Sequence, residues 1–272
     1  MILSIITINL NNAKGLLKTM KSVVKQTFTN FEFIIIDGAS TDSSIEIIQQ
    51  FNDSTIQQFS WISEPDTGVF NAMNKGIRMA KGEYLLFLNS GDFLIDEKVL
   101  SNVFSFEQTA DILCGRCNVS DNGNVIYKTN PPEKFRLSHF YKANIAHQAT
   151  FIKRKLFDKF ELYREDFKLM GDWEFWIRTI ILGNVSTKCV DVYVCDYNLE
   201  GISNNNNILF FKEMERVYFD LKLQNIVPDY DAWDNERKEM EVMYWVKSKS
   251  ILYQPLILLY RIAGYLSGLR KK

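Results

Sequence analysis

Leu86-Phe-Leu-Asn-Ser-Gly-Asp92 is the stretch from which the fold of this chain is read. The apolar residues 84–88 fit a strand buried on both faces, and they break into a short polar turn carrying one carboxylate. Asp96 and Glu97 then open a helical pattern. Strand, tight turn, acid and helix follow one another as in a β-α unit. In open α/β sheets, ligands bind outside the carboxyl ends of the strands, so Asp92 stands where a bound molecule would be met.

Upstream the same punctuation repeats. Residues 2–8 read as an apolar strand, followed by Leu16, Leu17, Met20, Val23 and Val24 at helical spacing. Residues 31–36 form a second buried strand that runs into Asp37-Gly38, and Ser40, Thr41 and Asp42 offer oxygens to cap a helix through Ile48. A short strand at 59–62 and a helix at 67–80 complete the alternation, which requires a mostly parallel sheet with crossover helices. Past residue 110 the regularity weakens. Residues 112–119 and 125–128 flank Asn122-Gly123, a hairpin signal, and 129–145, with Pro131-Pro132, reads as a mobile loop. Strands are expected at 149–152 and 187–197, with a helix at 172–182 between them. After the polar run 204–207 the remainder reads as helices, at 208–224, 231–247 and a last apolar one. The division expected is a main domain at 1–203 and a helical extension at 204–272.

At 272 residues and 46% hydrophobic content the chain can bury a substantial core, and its net charge of −1 gives no case for nucleic-acid binding. Beyond Glu241 there is no acid, only Lys247, Lys249, Arg261, Arg270, Lys271 and Lys272, so the neutral total hides an acidic body and a basic tail. The N-terminus lacks the charged region of a signal peptide and reads as a strand. Cys114-Gly-Arg-Cys117 has no second pair and no histidine beside it, which favours buried thiols in a reducing, cytosolic compartment over zinc. The apolar segment 251–269 is broken by Gln254, Pro255 and Arg261, whereas a span needs about 20 largely apolar residues. Its tyrosines and flanking cations suit an anionic membrane interface; packing against the body or a second copy of the chain, and a true span, are the alternatives.

Among the candidate site residues, Asp37 can accept hydrogen bonds from a base or ribose, or serve only as a turn residue. Asp92 can hold a divalent cation shared with substrate phosphates, since magnesium is commonly bound by one or two carboxylates plus phosphate. The helix from Thr67 buries Val69, Met73, Ile77 and Ala80 and turns Asn71, Asn74, Lys75 and Arg78 the other way. Asp66, just before it, is the favoured ligand residue, and Arg78 is left to the surface. Asp172 and Glu174 lie about 200° apart on a helix and cannot share one pocket. Glu174 has Arg178 at i+4, which reads as a surface ion pair, so Asp172 is the candidate proton acceptor, with a helix cap as its plain alternative. His147, ahead of a strand, is a candidate for contact with phosphate, metal or acceptor. Held nucleotide, neutralised diphosphate and proton acceptor together describe nucleotide-sugar transfer.

Ser4-Ile-Ile-Thr-Ile-Asn9, Asp37-Gly-Ala-Ser-Thr-Asp42, Asp66-Thr-Gly-Val-Phe-Asn-Ala-Met-Asn74-Lys-Gly76, Asn89-Ser-Gly-Asp92, His147-Gln148 and Gly171-Asp172 occur in a fixed order. In that order the chain resembles the family 2 glycosyltransferases of the GT-A fold, and especially bacterial surface-polysaccharide members such as the colanic acid transferases. The resemblance implies an α/β fold with a Rossmann-like, mixed and mostly parallel sheet, helices on both faces and added C-terminal helices. It implies Thr7, Asn9, Asp37, Asp66, Asn74 and Asn89 as nucleotide-binding, Asp92 as metal-binding with Mg2+ or Mn2+, and Asp172 as catalytic. It further implies inversion at the anomeric carbon, transfer from a UDP-sugar to a lipid-linked or oligosaccharide acceptor, and a place on the cytoplasmic face of the cell membrane. A homodimer is also compatible with it. The rival is a catalytically silent, membrane-docked scaffold of the same fold. Three positions depart from the family pattern. Asn89-Ser-Gly91 stands for Asp-x-Asp, Gly171 for the Glu before the catalytic Asp, and Phe70-Asn71 for Tyr-Asp.

Overall fold

A computed structural model of the chain describes residues 1–51, 58–105, 108–121, 124–198 and 207–266. Strands β1 (Leu3–Asn9), β2 (Phe31–Asp37), β3 (Phe59–Ser63) and β4 (Tyr84–Phe87) pair in parallel in the order β3-β2-β1-β4. They are apolar along almost their whole length because helices cover both faces, as the crossovers between parallel strands require. Helix α1 (Ala13–Val24) buries Leu16, Met20 and Val23, and α2 (Ser44–Gln50) follows β2. Helix α3 (Val69–Met79) lies so close to β1 that a Cβ on Gly76 would come within 2.4 Å of Ile6 Cγ2. Register places Asn9 beside Asp37 and Asp37 beside Ser63, so the polar last residues of three strands form one row at the carboxyl edge.

The sheet continues through β8 (Thr150–Lys153), antiparallel to β4, then β6 (Ile112–Asp121), β9 (Thr187–Asn198) and β5 (Phe93–Leu94), with β7 (Asn124–Lys128) on β6. It is therefore an α/β architecture with a mixed sheet, parallel in its first four strands. The expected hairpin forms, although Asn122 and Gly123 lie outside the described residues.

Several expectations are corrected. The segment 129–145 is not simply a loop: it contains α5 (Leu137–Lys142), buries Phe140 and Ile145, and is fastened where Trp173 Nε1 donates to the Phe140 carbonyl at 3.1 Å. Asp96 and Glu97 do not begin a helix directly after the turn, because β5 intervenes and α4 runs Val99–Val103. Of the four cysteines, all free, Cys117 and Cys195 meet across adjacent strands with their sulfurs 3.0 Å apart.

Two compact units are present, Met1–Val217 and Tyr218–Lys272. The boundary expected at 203 falls among residues outside the described ones. Helix α8 (Asn207–Asp220) accordingly belongs for most of its length to the first unit. In the second, α9 (Val227–Ser248) and α10 (Ser250–Leu266) lie against each other and leave many apolar side chains in solvent. Among the described residues no helix is long and apolar enough to cross a membrane.

Candidate active site

The row of polar strand ends is closely cross-tied. Asp37 is fully buried, and its carboxylate accepts from Asn9 Nδ2 (2.7 Å), Ser40 Oγ (2.6 Å), the Ser40 amide (2.9 Å) and Ser63 Oγ (2.7 Å). Burial raises its pKa, but these donors outweigh burial and hold the carboxyl below its ordinary range. Asn9 in turn accepts from Ser90 Oγ at 2.8 Å, which joins the ends of β1 and β2 to the turn after β4. Asp66 stands directly over Gly38. A Cβ there would lie 2.5 Å from Asp66 Oδ2, so glycine is what allows this carboxylate to close on the end of β2.

The turn after β4 is set by a residue that the sequence reading passed over. Thr19, wholly buried on α1, donates from Oγ1 to the Asp92 carbonyl at 2.6 Å and accepts from the Gly91 amide at 3.0 Å. Gly91 has φ +107°, a conformation side-chain-bearing residues rarely adopt. The signal was present in the sequence: a hydroxyl at a core-facing helix position needs a buried partner. Asp92 itself is 6% exposed, and its charge adds to burial and to the neighbouring Cys117 in raising the Cys195 thiol pKa.

Asp172 stands at the start of the second helix after β8, beyond α6 (Lys155–Phe160). It lies in the first turn of α7 (Gly171–Trp176), which continues as a π-helical segment Ile177–Leu182. Met170, not Asp172, is the N-cap residue. Asp172 Oδ1 accepts from the Trp173 amide at 2.7 Å, while Oδ2 lies 3.2 Å from His147 Nδ1 and accepts from Asn144 Nδ2 at 3.4 Å. The other face of the imidazole, Nε2, is 3.2 Å from Asn89 Nδ2. A carboxylate can only accept from a ring N–H, so the proton sits on Nδ1 and Nε2 accepts from Asn89. Asn89, His147 and Asp172 therefore form one hydrogen-bonded chain from the turn to the catalytic candidate. Tyr163 lies beside it. Burial, and then the charge of Asp172, push its phenol well above the usual tyrosine range.

Two candidates lie elsewhere. Thr7 is fully buried and its hydroxyl donates to the Leu88 carbonyl at 2.7 Å, so it pins β1 to the end of β4 beneath the site and presents nothing to a ligand. Asn74 is 1% exposed; its amide brackets the Tyr163 backbone (2.8 and 3.1 Å) and reaches Glu165, so it seats the segment leading to α7. The Glu174–Arg178 pair is not on the surface either. The Glu174 side chain is 2% exposed, is held in two bonds of 2.8 and 2.9 Å, and Arg178 also donates to the Leu162 carbonyl.

Two departures from the expected pattern explain each other. A Cβ on Gly171 would lie 2.8 Å from Phe70 Cδ2 and Cε2, so the Phe70 ring occupies the place a side chain at 171 would need. The cavities of about 300 and 390 Å³ lined by Asp111 and Lys155, and by Met1, Lys81 and Glu83, lie away from these acids, toward the opposite end of the strands.

The profile described as Glycosyl transferase family 2 matches residues 4–167, ending just before Asp172. A PGL/p-HBAD biosynthesis glycosyltransferase of Mycobacterium bovis is 33% identical over 208 residues, covering 74% of this chain and 78% of its own. An uncharacterized glycosyltransferase of Mycobacterium tuberculosis is 30% identical over 230 residues, covering 80% and 81%. Among solved structures, S. aureus TarS 1-349 in complex with UDP-GlcNAc has a TM-score of 0.65 at 19% identity, over 80% of this chain and 66% of TarS 1-349, a likeness of fold. The mannosyltransferase PcManGT from Pyrobaculum calidifontis, in complex with GDP-Man and Mn2+, has a TM-score of 0.55 at 14% identity, over 71% of this chain and 56% of its own.

Proposed function

The chain belongs to glycosyl transferase family 2, and from that membership we propose that it moves a sugar, with inversion, from a UDP-sugar to a hydroxyl of a lipid-linked or oligosaccharide acceptor in surface-polysaccharide synthesis. The observation that carries this reading is the chain Asn89–His147–Asp172, which ties a proton acceptor to the strand-end turn where a leaving diphosphate would lie. In the reaction the acceptor oxygen attacks the anomeric carbon from the face opposite the diphosphate. The bond to the phosphate oxygen breaks with its electron pair, and Asp172 takes the hydroxyl proton. His147 and the Trp173 amide hold one oxygen each of that carboxylate, which fixes its direction. Asn9, Asp37 and Asp66 are the groups that would receive the nucleoside; Asp37 is wholly buried, so a base N–H must first displace the Ser40 or Ser63 hydroxyl from it.

The donor set suits a hard cation. Asn89 Oδ1 is buried without a hydrogen-bond partner, and the Asp92 carboxylate belongs to the same turn. Both are oxygen ligands of the kind Mg2+ and Mn2+ take. Among the described residues no group of three or more His, Cys, Asp or Glu could hold a metal, so in this reading the donor's phosphates and water would complete the ligands. A cation held by Asn89 and Asp92 would supply charge neutralisation for the departing diphosphate. Incubation with a panel of nucleotide sugars and Mn2+ is expected to turn over a UDP-sugar, with a product of opposite anomeric configuration by NMR. Absence of turnover together with absence of UDP binding by calorimetry favours the silent scaffold instead.

The second unit supports docking on the inner face of an anionic membrane. Ile251, Leu259 and Tyr260 of α10 are 84, 64 and 77% exposed, with Lys247 and Lys249 just before them in the chain and Arg261 directly after Tyr260. Each cation near such a surface contributes about 1 kcal/mol. Co-sedimentation with anionic but not neutral vesicles is expected. A dimer in solution that ignores both kinds of vesicle would assign this surface to a second copy of the chain.

A further inference from the structure

Helix α8, beyond the residues that the family profile matches, sends one carboxylate to the start of the Asp172 helix. Glu213 is 6% exposed, and its oxygens accept from three consecutive amides, Lys168 (2.8 Å), Leu169 (2.9 Å) and Met170 (3.0 Å). Met170 has no side-chain cap bond of its own, and its carbonyl accepts the first helical bond of α7, from the Glu174 amide at 2.8 Å. A residue far downstream thus satisfies the amide of the N-cap residue and those of the two residues leading into it. A second clamp holds the same loop. Arg216 of α8 bonds Asp166, and the Arg164 and Arg216 guanidiniums both lie over the Phe167 ring.

We propose that Glu213 is a positioning residue for Asp172: it fixes where α7 begins, and so where the Asp172 carboxylate stands against His147. The inference rests on Asp172 acting as proton acceptor, and it makes α8 part of the catalytic apparatus. Neutralising Glu213 replaces one acceptor oxygen with an NH2 that faces an amide N–H, and the loop must shift to relieve it. The nucleotide groups at the ends of β1 and β2 are held by bonds that do not involve Glu213.

The test is Glu213→Gln in the full chain, with kcat divided by the fraction of protein that binds UDP in calorimetry, which removes any effect of lost folded protein. A fall of about 10–100-fold is expected, since small misplacements of catalytic groups cost that much, with UDP affinity unchanged and the His147 imidazole ¹⁵N signals displaced. Glu213→Asp, which keeps the charge with a shorter reach, is expected to fall between wild type and Glu213→Gln and serves if the latter does not fold. Corrected kcat within twofold of wild type, or imidazole signals left in place, overturns the proposal. Asp172→Asn distinguishes the failures. If it transfers sugar at the wild-type rate, the base assignment is wrong, whereas the imidazole signals of the Glu213 variants still report whether Glu213 positions Asp172.

Discussion

Replacing Gly171 with alanine puts a methyl group where the Phe70 ring already is. The new carbon would stand 2.8, 2.8 and 2.9 Å from three ring atoms, where comfortable carbon–carbon contact is about 3.5–4.0 Å. The ring cannot easily swing away: Phe70 is 4% exposed and packs against Tyr163 with centroids 5.6 Å apart. Overpacking of this kind costs about 1–3 kcal/mol. Alanine's advantage over glycine in a helix returns at most about 1 kcal/mol. The net expectation is a loss of up to about 2 kcal/mol, opposite in sign to the same change on an open helix. Urea unfolding measures it, and repeating the substitution in a Phe70→Ala background isolates the clash. With the ring gone, Gly171→Ala should become neutral or stabilising. Stabilisation of about 0.5 kcal/mol or more in the wild-type background, the ordinary benefit of removing a glycine, would refute the reasoning.

Arg178→Met strands the Glu174 carboxylate, whose side chain is 2% exposed, and should cost about 3–5 kcal/mol, with much of it recovered when Glu174 is also made apolar; equal losses in the single and double variants by denaturant titration contradict this. Asp37 has a carboxyl held below its ordinary range in the folded chain, so its stabilisation is fully present above about pH 4 and is lost as pH falls through the lower folded value. Stability measured against pH should therefore lose part of its acid-side slope in Asp37→Asn, and an unchanged slope counts against the hydrogen-bond account. His147→Ala should lower kcat by about 100-fold through misplacement of Asp172 and leave UDP affinity alone; weaker UDP binding with unchanged kcat would make His147 a phosphate contact instead.

The parallel half of the sheet was legible because three of its strands, β1, β2 and β4, are largely apolar runs broken off by a polar turn, and short runs of this kind alternating with helical spacing fit strands buried on both faces. Asp37, Asp66 and Asp92 were legible for the same reason, since they end or follow strands of that half, whereas Asp172 was read from the start of a helix. What the sequence hid is which polar groups spend their hydrogen bonds inward. Thr7 and Asn74 look like ligand residues by position, yet each is consumed by a backbone partner that only the tertiary fold supplies. Glu174 and Arg178 have the spacing of a solvated pair, but the 161–162 backbone closes over them. Glu213 sits in an unremarkable stretch of helical sequence, and its amide partners lie 43–45 residues earlier. The 129–145 segment misled because its prolines and mixed polarity conceal Phe140, which the Trp173 indole fastens in place.

The central claim is that Asp172 removes the acceptor's proton from a position secured by His147. Steady-state transfer by Asp172→Asn, at equal UDP occupancy with the wild type, tests it most directly. The loss of a positioned general base predicts a fall of about 10²–10⁴-fold with nucleotide affinity intact. Transfer near the wild-type rate would show that the proton leaves by another route.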